Sequence, residues 1–344
     1  PHAKLIALTS LILGTTITIS SNHWAMIWTG LEINTLAVIP MISKSHHPRA
    51  IEATIKYFLT QAAASATILF SSMINAWTTG QWDISQLTNT TSCLLLTTAI
   101  AMKLGLVPFH FWFPEVLQGS SLTTALLLST AMKLPPIAIL LLTFNSLNPH
   151  LLTSMAIAST ALGGWMGLNQ TQIRKILAFS SISHLGWMTI ILVYSPKLTL
   201  LTFLLYSLLT STIFLALNTS NTTNMPTLMT SWTKTPMLNA TLMLTLLSLA
   251  GLPPLTGFLP KWLIIQELTK QEMTMAALTT TLLSLLSLFF YLRLTYYSTV
   301  TLPPNPTNLV KHWYTNKPTT TLIPIMASLS ILLLPFSPTI LASI

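Results

Sequence analysis

The sequence predicts a single all-α polytopic membrane domain with about 11 transmembrane helices, arranged as an inverted repeat with two discontinuous helices. Only 6% of the 344 residues are charged, whereas soluble domains carry roughly 25%, and the mean hydropathy is +0.68. The apolar segments are long enough to cross a bilayer, and the short polar links between them leave no room for a soluble domain. This composition is typical of a membrane protein.

The spans are continuously apolar, which favours helices over a β-barrel, whose strands alternate apolar and polar residues. Serine and threonine are frequent within them, and we expect their hydroxyls to bond to the helix backbone. The eleven predicted spans lie near residues 3–20, 23–43, 51–77, 86–118, 121–144, 149–168, 172–193, 198–218, 236–269, 274–298 and 320–341.

Several kinds of site have no signal in this sequence. Cys93 is the single cysteine, so we predict no intramolecular disulfide, no metal site and no iron–sulfur ligation. The chain carries no dinucleotide fingerprint and no phosphate loop, so we expect no cofactor of its own. The first span shows neither a cleavage site nor an arginine-rich leader. Because the numbering begins with Pro1 rather than Met, we expect one or two residues before it.

The formal net charge of +9 lies mostly in loops, which indicates membrane orientation rather than nucleic-acid binding. One set of alternate loops and span ends is strongly basic: Lys4, Lys44, Arg49, Lys56, Arg174, Lys175, Lys234, Lys311 and Lys317. The other set holds Lys197 and Lys270 together with Asp83 and Glu272. We therefore expect the N-terminus to face the cytoplasm or matrix and the C-terminus to lie on the opposite side.

Two spans, 86–118 and 236–269, are too long for one crossing, and each contains a proline-rich break. The stretches "GLVPFHFWFPEVLQ" and "GLPPLTGFLPKWLI" begin 146 residues apart and share a Gly-Leu-x-Pro start and a later proline. The matching residues are Gly105, Leu106, Pro108 and Pro114 with Gly251, Leu252, Pro254 and Pro260. Five span steps separate the breaks, and because five is odd the second copy crosses the membrane in the opposite direction.

This arrangement predicts an inverted repeat within the single membrane domain 1–344. The first repeat runs from about 23–144 onward, the second covers about 172–298, and a C-terminal helix covers about 320–341. Broken backbone within a membrane is tolerated where it is buried in protein or lines a hydrated cavity. The breaks therefore indicate wet, polar places inside the bilayer.

Five titratable residues lie inside predicted spans at similar depth: Glu32, Lys103, Lys133, His184 and Lys261. Lys103 precedes the first break and Lys261 follows the second. Burial disfavours a charged lysine and a nearby carboxylate favours it, so such a lysine can gain or lose a proton when its neighbour changes. Histidine titrates near neutral pH. We predict that these five residues transfer protons, and that Lys261 is reached through polar intermediates such as His184 and Lys133.

Each of these residues also has a structural interpretation. A single lysine could be a fixed ion-pair partner of Glu32, and His184 could be a packing residue among the serines of "SSIS". The set is harder to explain in this way, because one glutamate cannot neutralise three lysines. Glu115 and His110 lie beyond the first break, and for Glu115 an interfacial role is as consistent as a proton-path role.

Four stretches, "WTGLEINTLAVIPMI", "KLGLVPFHFWFPEVLQG", "SSISHLGWM" and "LAGLPPLTGFLPKW", carry a resemblance that extends over essentially the whole chain. The sequence resembles the subunit 2 family of vertebrate mitochondrial NADH:ubiquinone oxidoreductase (respiratory complex I), within the antiporter-like membrane subunits. The resemblance implies that Glu32 and Lys103 interact, that Lys133 connects the halves, and that Lys261 is the second-half proton donor. One span rather than four precedes Glu32, which is the animal form of this subunit.

The resemblance implies a core membrane subunit of an H+-translocating NADH:ubiquinone reductase, which moves protons from the matrix to the intermembrane space. NADH, FMN, iron–sulfur clusters and ubiquinone are then expected in other subunits, and redox chemistry is not expected here. The implied location is the mitochondrial inner membrane. The implied partners are other membrane-arm and accessory subunits and lipids such as cardiolipin, with no nucleic acid. The alternatives are a stand-alone secondary cation/proton antiporter and a structural spacer.

Overall fold

The computed structural model describes residues 2–43, 47–232, 235–299 and 322–339. Within these ranges the chain is helical, with short 3-10 turns and no strand. The helices are α1 (His2–Ser20), α2 (Trp24–Ile42), α3 (Pro48–Thr79), α4 (Thr90–Leu104), α5 (Trp112–Gly119), α6 (Leu122–Ser129), α7 (Leu134–Leu142), α8 (Pro149–Gly167), α9 (Ile173–Ile191), α10 (Pro196–Ser220), α11 (Met225–Ser231), α12 (Pro236–Ala250), α13 (Phe258–Lys270), α14 (Thr274–Thr299) and α15 (Leu322–Leu332).

Each of the eleven predicted spans corresponds to one of these helices or to a consecutive pair of them, which confirms the predicted fold class. The last predicted span is interrupted, because α15 ends at Leu332, a 3-10 turn covers Leu334–Phe336, and helical residues follow at 337–339, while the two ends of this span lie outside the described residues. Lys44, Lys234, Lys311 and Lys317, on which part of the orientation argument rests, lie outside the described residues.

Six helical segments among the described residues are long and apolar enough to cross a membrane by themselves: His2–Ser20, Trp24–Ile42, Pro48–Thr79, Leu122–Leu142, Pro196–Ser220 and Thr274–Thr299. Helix α9 has the length of a span but a more polar sequence. From Ile176 to Ile191 its residues are buried except for half-buried His184. Because protein surrounds this helix, its serines and histidine do not face lipid.

The frequent hydroxyl side chains bond to the backbone of their own helix, as the sequence predicts. The hydroxyl of Thr97 donates to the carbonyl of Leu94 at 2.8 Å, and that of Thr245 donates to Leu242 at 2.9 Å. This local bond satisfies a polar group without a distant partner. A span can therefore be rich in threonine and still be stable in an apolar environment.

The two predicted discontinuous helices have the same local architecture. Helices α4 and α12 are each 15 residues long and begin 146 residues apart, and the second halves, α5 and α13, begin at the same offset. Each first half ends at a glycine in the left-handed region, Gly105 at φ +76° and Gly251 at φ +86°. A side chain on Cβ disfavours this conformation, so glycine is the residue that ends a helix in this way.

The predicted span 121–144 contains an interruption that the sequence analysis did not predict. Helix α6 ends at Ser129, a 3-10 turn covers Ala131–Lys133, and α7 begins at Leu134. Pro135 and Pro136 follow at once, and neither has the N–H that would bond to a carbonyl of the preceding turn. The prolines of "KLPP" therefore explain the break, which places Lys133 at the start of α7 rather than inside a continuous helix.

The chain forms two compact units, Pro1–Ser159 and Thr160–Ile344, with the boundary inside α8. In the first unit α3 packs against α2, α4 and α5, and in the second α10 packs against α9, α12, α13 and α15. The boundary does not coincide with the predicted repeat limits. The assignment of two repeats within one domain therefore stays a prediction.

Small residues bring α1 close to α2, the helix that carries Glu32. A Cβ atom on Gly14 would lie 2.8 Å from the carbonyl oxygen of Gly30, and one on Gly30 would lie 2.7 Å from Thr18 Cγ2. Such close contact between backbones is typical of helix packing in membranes, where small residues replace the hydrophobic effect as the basis of association. Helix α1 thus fixes the position of α2.

Candidate proton-transfer site

A small cavity in the first unit lies beside the first break. Lys103, at the end of α4, and Lys133, at the α6–α7 interruption, both line it. The structure therefore brings together two of the predicted residues that are separated by 30 positions in sequence. The other polar and aromatic residues around the cavity are Tyr57, Gln61, Trp112 and Phe113.

Lys103 is 6% exposed, and its Nζ atom has no hydrogen-bond partner among the residues that the structure describes. Its backbone is held firmly. Gln61 Nε2 donates to the Lys103 carbonyl at 3.5 Å, and Trp112 Nε1 donates to the carbonyl of Met102 at 3.1 Å. These bonds satisfy carbonyls that the end of α4 leaves without a helical partner. The backbone of Lys103 is thus fixed by neighbouring side chains, and its Nζ atom can still donate hydrogen bonds at the cavity.

Glu32 is half-buried on α2 and accepts two hydrogen bonds from hydroxyls. Ser65 Oγ donates to Oε1 at 3.4 Å and Thr35 Oγ1 donates to Oε2 at 3.2 Å. No ion pair within 4 Å joins the carboxylate of Glu32 to Lys103. The fixed ion-pair interpretation of Lys103 is therefore not what the structure shows.

Lys133 is 3% exposed and lies against an aromatic ring rather than in a helix interior. Its Nζ atom is 4.8 Å from the centre of the Phe113 ring. An aromatic face attracts a cation through its quadrupole. Phe113 belongs to α5, so the second half of the broken helix supports a lysine from the neighbouring interruption.

A small cavity in the second unit lies beside the second break. His184 on α9 and Lys261 on α13 both line it, so the structure also brings this predicted pair together. The imidazole of His184 lies 5.5 Å from the ring of Tyr206, measured between centroids. Tyr206 lines the same cavity.

Lys261 bonds directly to the broken helix. Its Nζ atom donates to the carbonyl of Ala250, the last residue of α12, at 2.8 Å. Gly251 makes room for this side chain, because a Cβ atom there would lie 3.0 Å from both Cδ and Nζ of Lys261. The negative end of the α12 dipole lies at the same place and favours the charged lysine.

Glu115, which occupies the position equivalent to Lys261 in the first copy, has a different environment. It is half exposed and pairs with Lys56 on α3, which also pairs with Glu52. This cluster favours the interfacial interpretation of Glu115. The two broken helices therefore have the same backbone architecture, but the residue after the break is acidic in one, Glu115, and basic in the other, Lys261.

Some cavity residues were not identified by the sequence analysis. Tyr57 and Gln61 line the first cavity and Tyr206 lines the second. The available signal was their position as polar side chains inside long apolar spans. Among the described residues no group of three His, Cys, Asp or Glu side chains could hold a metal ion.

Comparisons with known proteins agree with this architecture. The family model of the NADH:quinone oxidoreductase/Mrp antiporter transmembrane region matches residues 21–287, and that of the NADH dehydrogenase subunit 2 C-terminus matches residues 288–341. NADH-ubiquinone oxidoreductase chain 2 of Struthio camelus is 75% identical, covering 100% of this chain and 99% of the relative. The protein of the same name from Gallus gallus is 73% identical, covering 99% of each.

Solved structures share the fold. A chain of respiratory complex I from Thermus thermophilus superposes with a TM-score of 0.83 at 25% identity, covering 97% of this chain and 80% of that chain. A chain of the Mrp complex from Dietzia sp. DQ12-45-1b gives a TM-score of 0.79 at 18% identity, covering 87% and 61%. The second likeness concerns the fold alone. The family models and the full-length relatives show that this chain belongs to the NADH-ubiquinone oxidoreductase chain 2 family.

Proposed function

We propose that this chain is the proton-translocating core membrane subunit of a mitochondrial NADH:ubiquinone oxidoreductase, an H+-translocating enzyme. One observation carries the proposal. Each of the two broken helices lies beside a cavity, and each cavity is lined by two of the predicted titratable residues, Lys103 with Lys133 and His184 with Lys261. Buried groups of this kind within a membrane typically mark proton relays.

In this function the five predicted residues have distinct tasks. Glu32 attracts a proton to Lys103 and changes the balance between charged and neutral lysine when its own charge changes. Lys133 accepts the proton within the same cavity. His184 and Lys261 form the second relay, with Lys261 as the donor on the output side. Water within the cavities would connect groups that lie too far apart for direct transfer.

The work for this transfer comes from outside the chain. Moving one charge against the membrane potential costs about 2.3 kcal/mol per 100 mV. Quinone reduction elsewhere in the assembly supplies that free energy, and contacts with neighbouring subunits deliver it. We expect NADH, FMN, iron–sulfur clusters and ubiquinone in those other subunits, with no redox cofactor here.

The proposal includes a location and an orientation. We place the chain in the mitochondrial inner membrane, with the N-terminus in the matrix and the C-terminus in the intermembrane space. Protons move from the matrix to the intermembrane space. The loop charges support this orientation. In this proposal its protein partners are other membrane-arm and accessory subunits, and cardiolipin is a lipid partner because basic loops attract anionic lipids.

Purification of a tagged chain from mild detergent tests the assignment against a stand-alone antiporter. We expect the chain to co-purify with flavin and iron–sulfur proteins, and the isolated chain in liposomes to show no cation/proton exchange. Residues 288–341 match the family model of the NADH dehydrogenase subunit 2 C-terminus, which supports a complex subunit rather than a stand-alone antiporter. Cation-driven proton exchange by the isolated chain, without associated flavoproteins, would establish the antiporter instead.

A further inference from the structure

Thr256 lies in the second break, between the end of α12 at Ala250 and the start of α13 at Phe258. Its side chain is 2% exposed. A threonine near a helix N-terminus commonly caps that helix with its own oxygen. Here the hydroxyl of Thr256 instead donates a hydrogen bond to the carbonyl of Ser330 on α15. The break is therefore joined to a helix that lies 74 residues further along the chain.

The carbonyl of Ser330 can accept this bond because α15 ends nearby. Helix α15 ends at Leu332, and the last four carbonyls of a helix have no N–H within the helix to accept from. Pro335 follows, and it cannot extend the helix because it has no N–H and its ring clashes with the preceding turn. Ser330 is buried, so the bond from Thr256 satisfies a carbonyl that would otherwise be costly to bury.

Apolar packing joins the same two segments. Leu333, directly after α15, packs against a cluster formed by Leu201 and Leu205 of α10 and Leu259 of α13. Leu205 also lines the second cavity. The end of α15 therefore packs against a cluster that includes the first turn of α13 and one residue of the cavity wall.

The other side of the break is pressed against α12. A Cβ atom on Gly257 would lie 1.7 Å from the carbonyl oxygen of Ser248, so only glycine allows this approach. Gly257 and Pro260 line the second cavity together with Lys261, which donates to the Ala250 carbonyl. The segment that leads into α13 is thus held between α12 and α15, immediately before the turn that carries Lys261.

We propose that Thr256 is a positioning residue of the second proton relay, through which α15 fixes where α13 begins and where Lys261 lies. The inference rests on the proposed function of Lys261 as a proton donor. Helix α15 lies beyond residues 21–287, the region that matches the antiporter model, and within the subunit 2 C-terminal match. The second relay of this chain therefore depends on a helix outside its antiporter-like region. Small displacements of a reacting group slow its reaction steeply.

The test compares Thr256→Val and Thr256→Ser with a matched control, Thr280→Val, in the assembled complex. Valine keeps the branched shape and removes the hydroxyl, whereas serine keeps the donor. Thr280 is also buried, but its hydroxyl donates to the carbonyls of Ala276 and Ala277 in its own helix, and it is not among the residues that line the second cavity. We expect Thr256→Val alone to slow coupled proton pumping, by roughly tenfold, and Thr256→Ser to restore it.

Hydrogen–deuterium exchange in the same complexes measures the break independently of activity. The amides of residues 251–257 should exchange faster in Thr256→Val than in Thr256→Ser or Thr280→Val, because the segment has lost its bond to α15. Unchanged exchange in Thr256→Val would overturn the proposal. Faster exchange with normal pumping, or a serine variant as slow as the valine variant, would overturn it equally.

A second variant keeps the test decisive if Thr256→Val does not assemble. Leu333→Ala removes the apolar contact between the end of α15 and its cluster and leaves the hydroxyl in place. It should give faster exchange in residues 251–257 and slower pumping, and normal values of both would overturn the proposal. Lys261→Met, measured in parallel, tests the proposed function separately: normal pumping there would remove Lys261 from the proton path, whatever the exchange of the break shows.

Discussion

The Nζ atom of Lys261 donates a hydrogen bond of 2.8 Å to the carbonyl of Ala250, so the second half of a broken helix caps the first. The lysine and the break are therefore one structural unit. At the end of α4, Gln61 and Trp112 donate hydrogen bonds to the carbonyls of Lys103 and Met102. The Nζ atom of Lys103 has no hydrogen-bond partner among the described residues. The two copies reach similar backbone geometry with different charges, and this difference leads to distinct predictions.

Lys261→Arg should impair proton pumping almost as much as Lys261→Met. Arginine retains the charge and can still donate to the Ala250 carbonyl, but it cannot release a proton. We expect the arginine complex to assemble better than the methionine complex, since methionine leaves that carbonyl without its donor. Proton pumping per NADH in reconstituted complex is the measurement. Normal pumping by the arginine variant would remove Lys261 from the path and leave it a structural cation.

Gly251→Ala should lower pumping, whereas Gly80→Ala should not. Both glycines have positive φ, +86° and +74°, so alanine costs about 1–2 kcal/mol of backbone strain at either position. Only at Gly251 would the new Cβ atom press on Lys261, while a Cβ atom on Gly80 would meet no other group within 4 Å. The temperature of thermal inactivation should fall by a similar amount in both variants, and coupled turnover should fall only in Gly251→Ala. Equal turnover would show that the position of Lys261 is not critical.

Lys103→Met and Glu32→Gln should each leave the complex assembled and reduce coupled turnover by at least about tenfold, a barrier increase of ~1.4 kcal/mol. Assembly should survive Lys103→Met because the Nζ atom has no hydrogen-bond partner among the described residues that the change would leave unsatisfied. The control is Lys270→Met, whose side chain is 70% exposed and pairs with Glu267 on the surface. Normal pumping in both test variants would contradict a role for this pair.

Cysteine labelling should find Thr171 and Gln271 on opposite sides of the membrane. Both positions are exposed and lie between helices, and Cys93 is buried, so it should not compete for the label. With an impermeant thiol reagent, Thr171→Cys should react only from the matrix side and Gln271→Cys only from the intermembrane side. The reverse pattern would overturn the orientation that the loop charges predict.

The amino-acid sequence by itself determined the fold class, the eleven spans, the two breaks and the five titratable residues within the spans. Each of these depends on local chemistry. A low charge content and long apolar runs require a membrane environment, and proline and glycine end helices wherever they occur. The interruption before Lys133 is also local, and the signal "KLPP" was present but was not interpreted as a break.

Only the tertiary structure decided which of these residues share a cavity and what each one touches. Lys103 and Lys133 line one cavity, His184 and Lys261 line another, and Lys133 lies against Phe113. The bond from Lys261 to Ala250 and the unpartnered hydroxyl of Tyr57 are further examples. Such contacts depend on how helices distant in the chain pack together, and packing is set by the shapes of many side chains at once rather than by any local pattern.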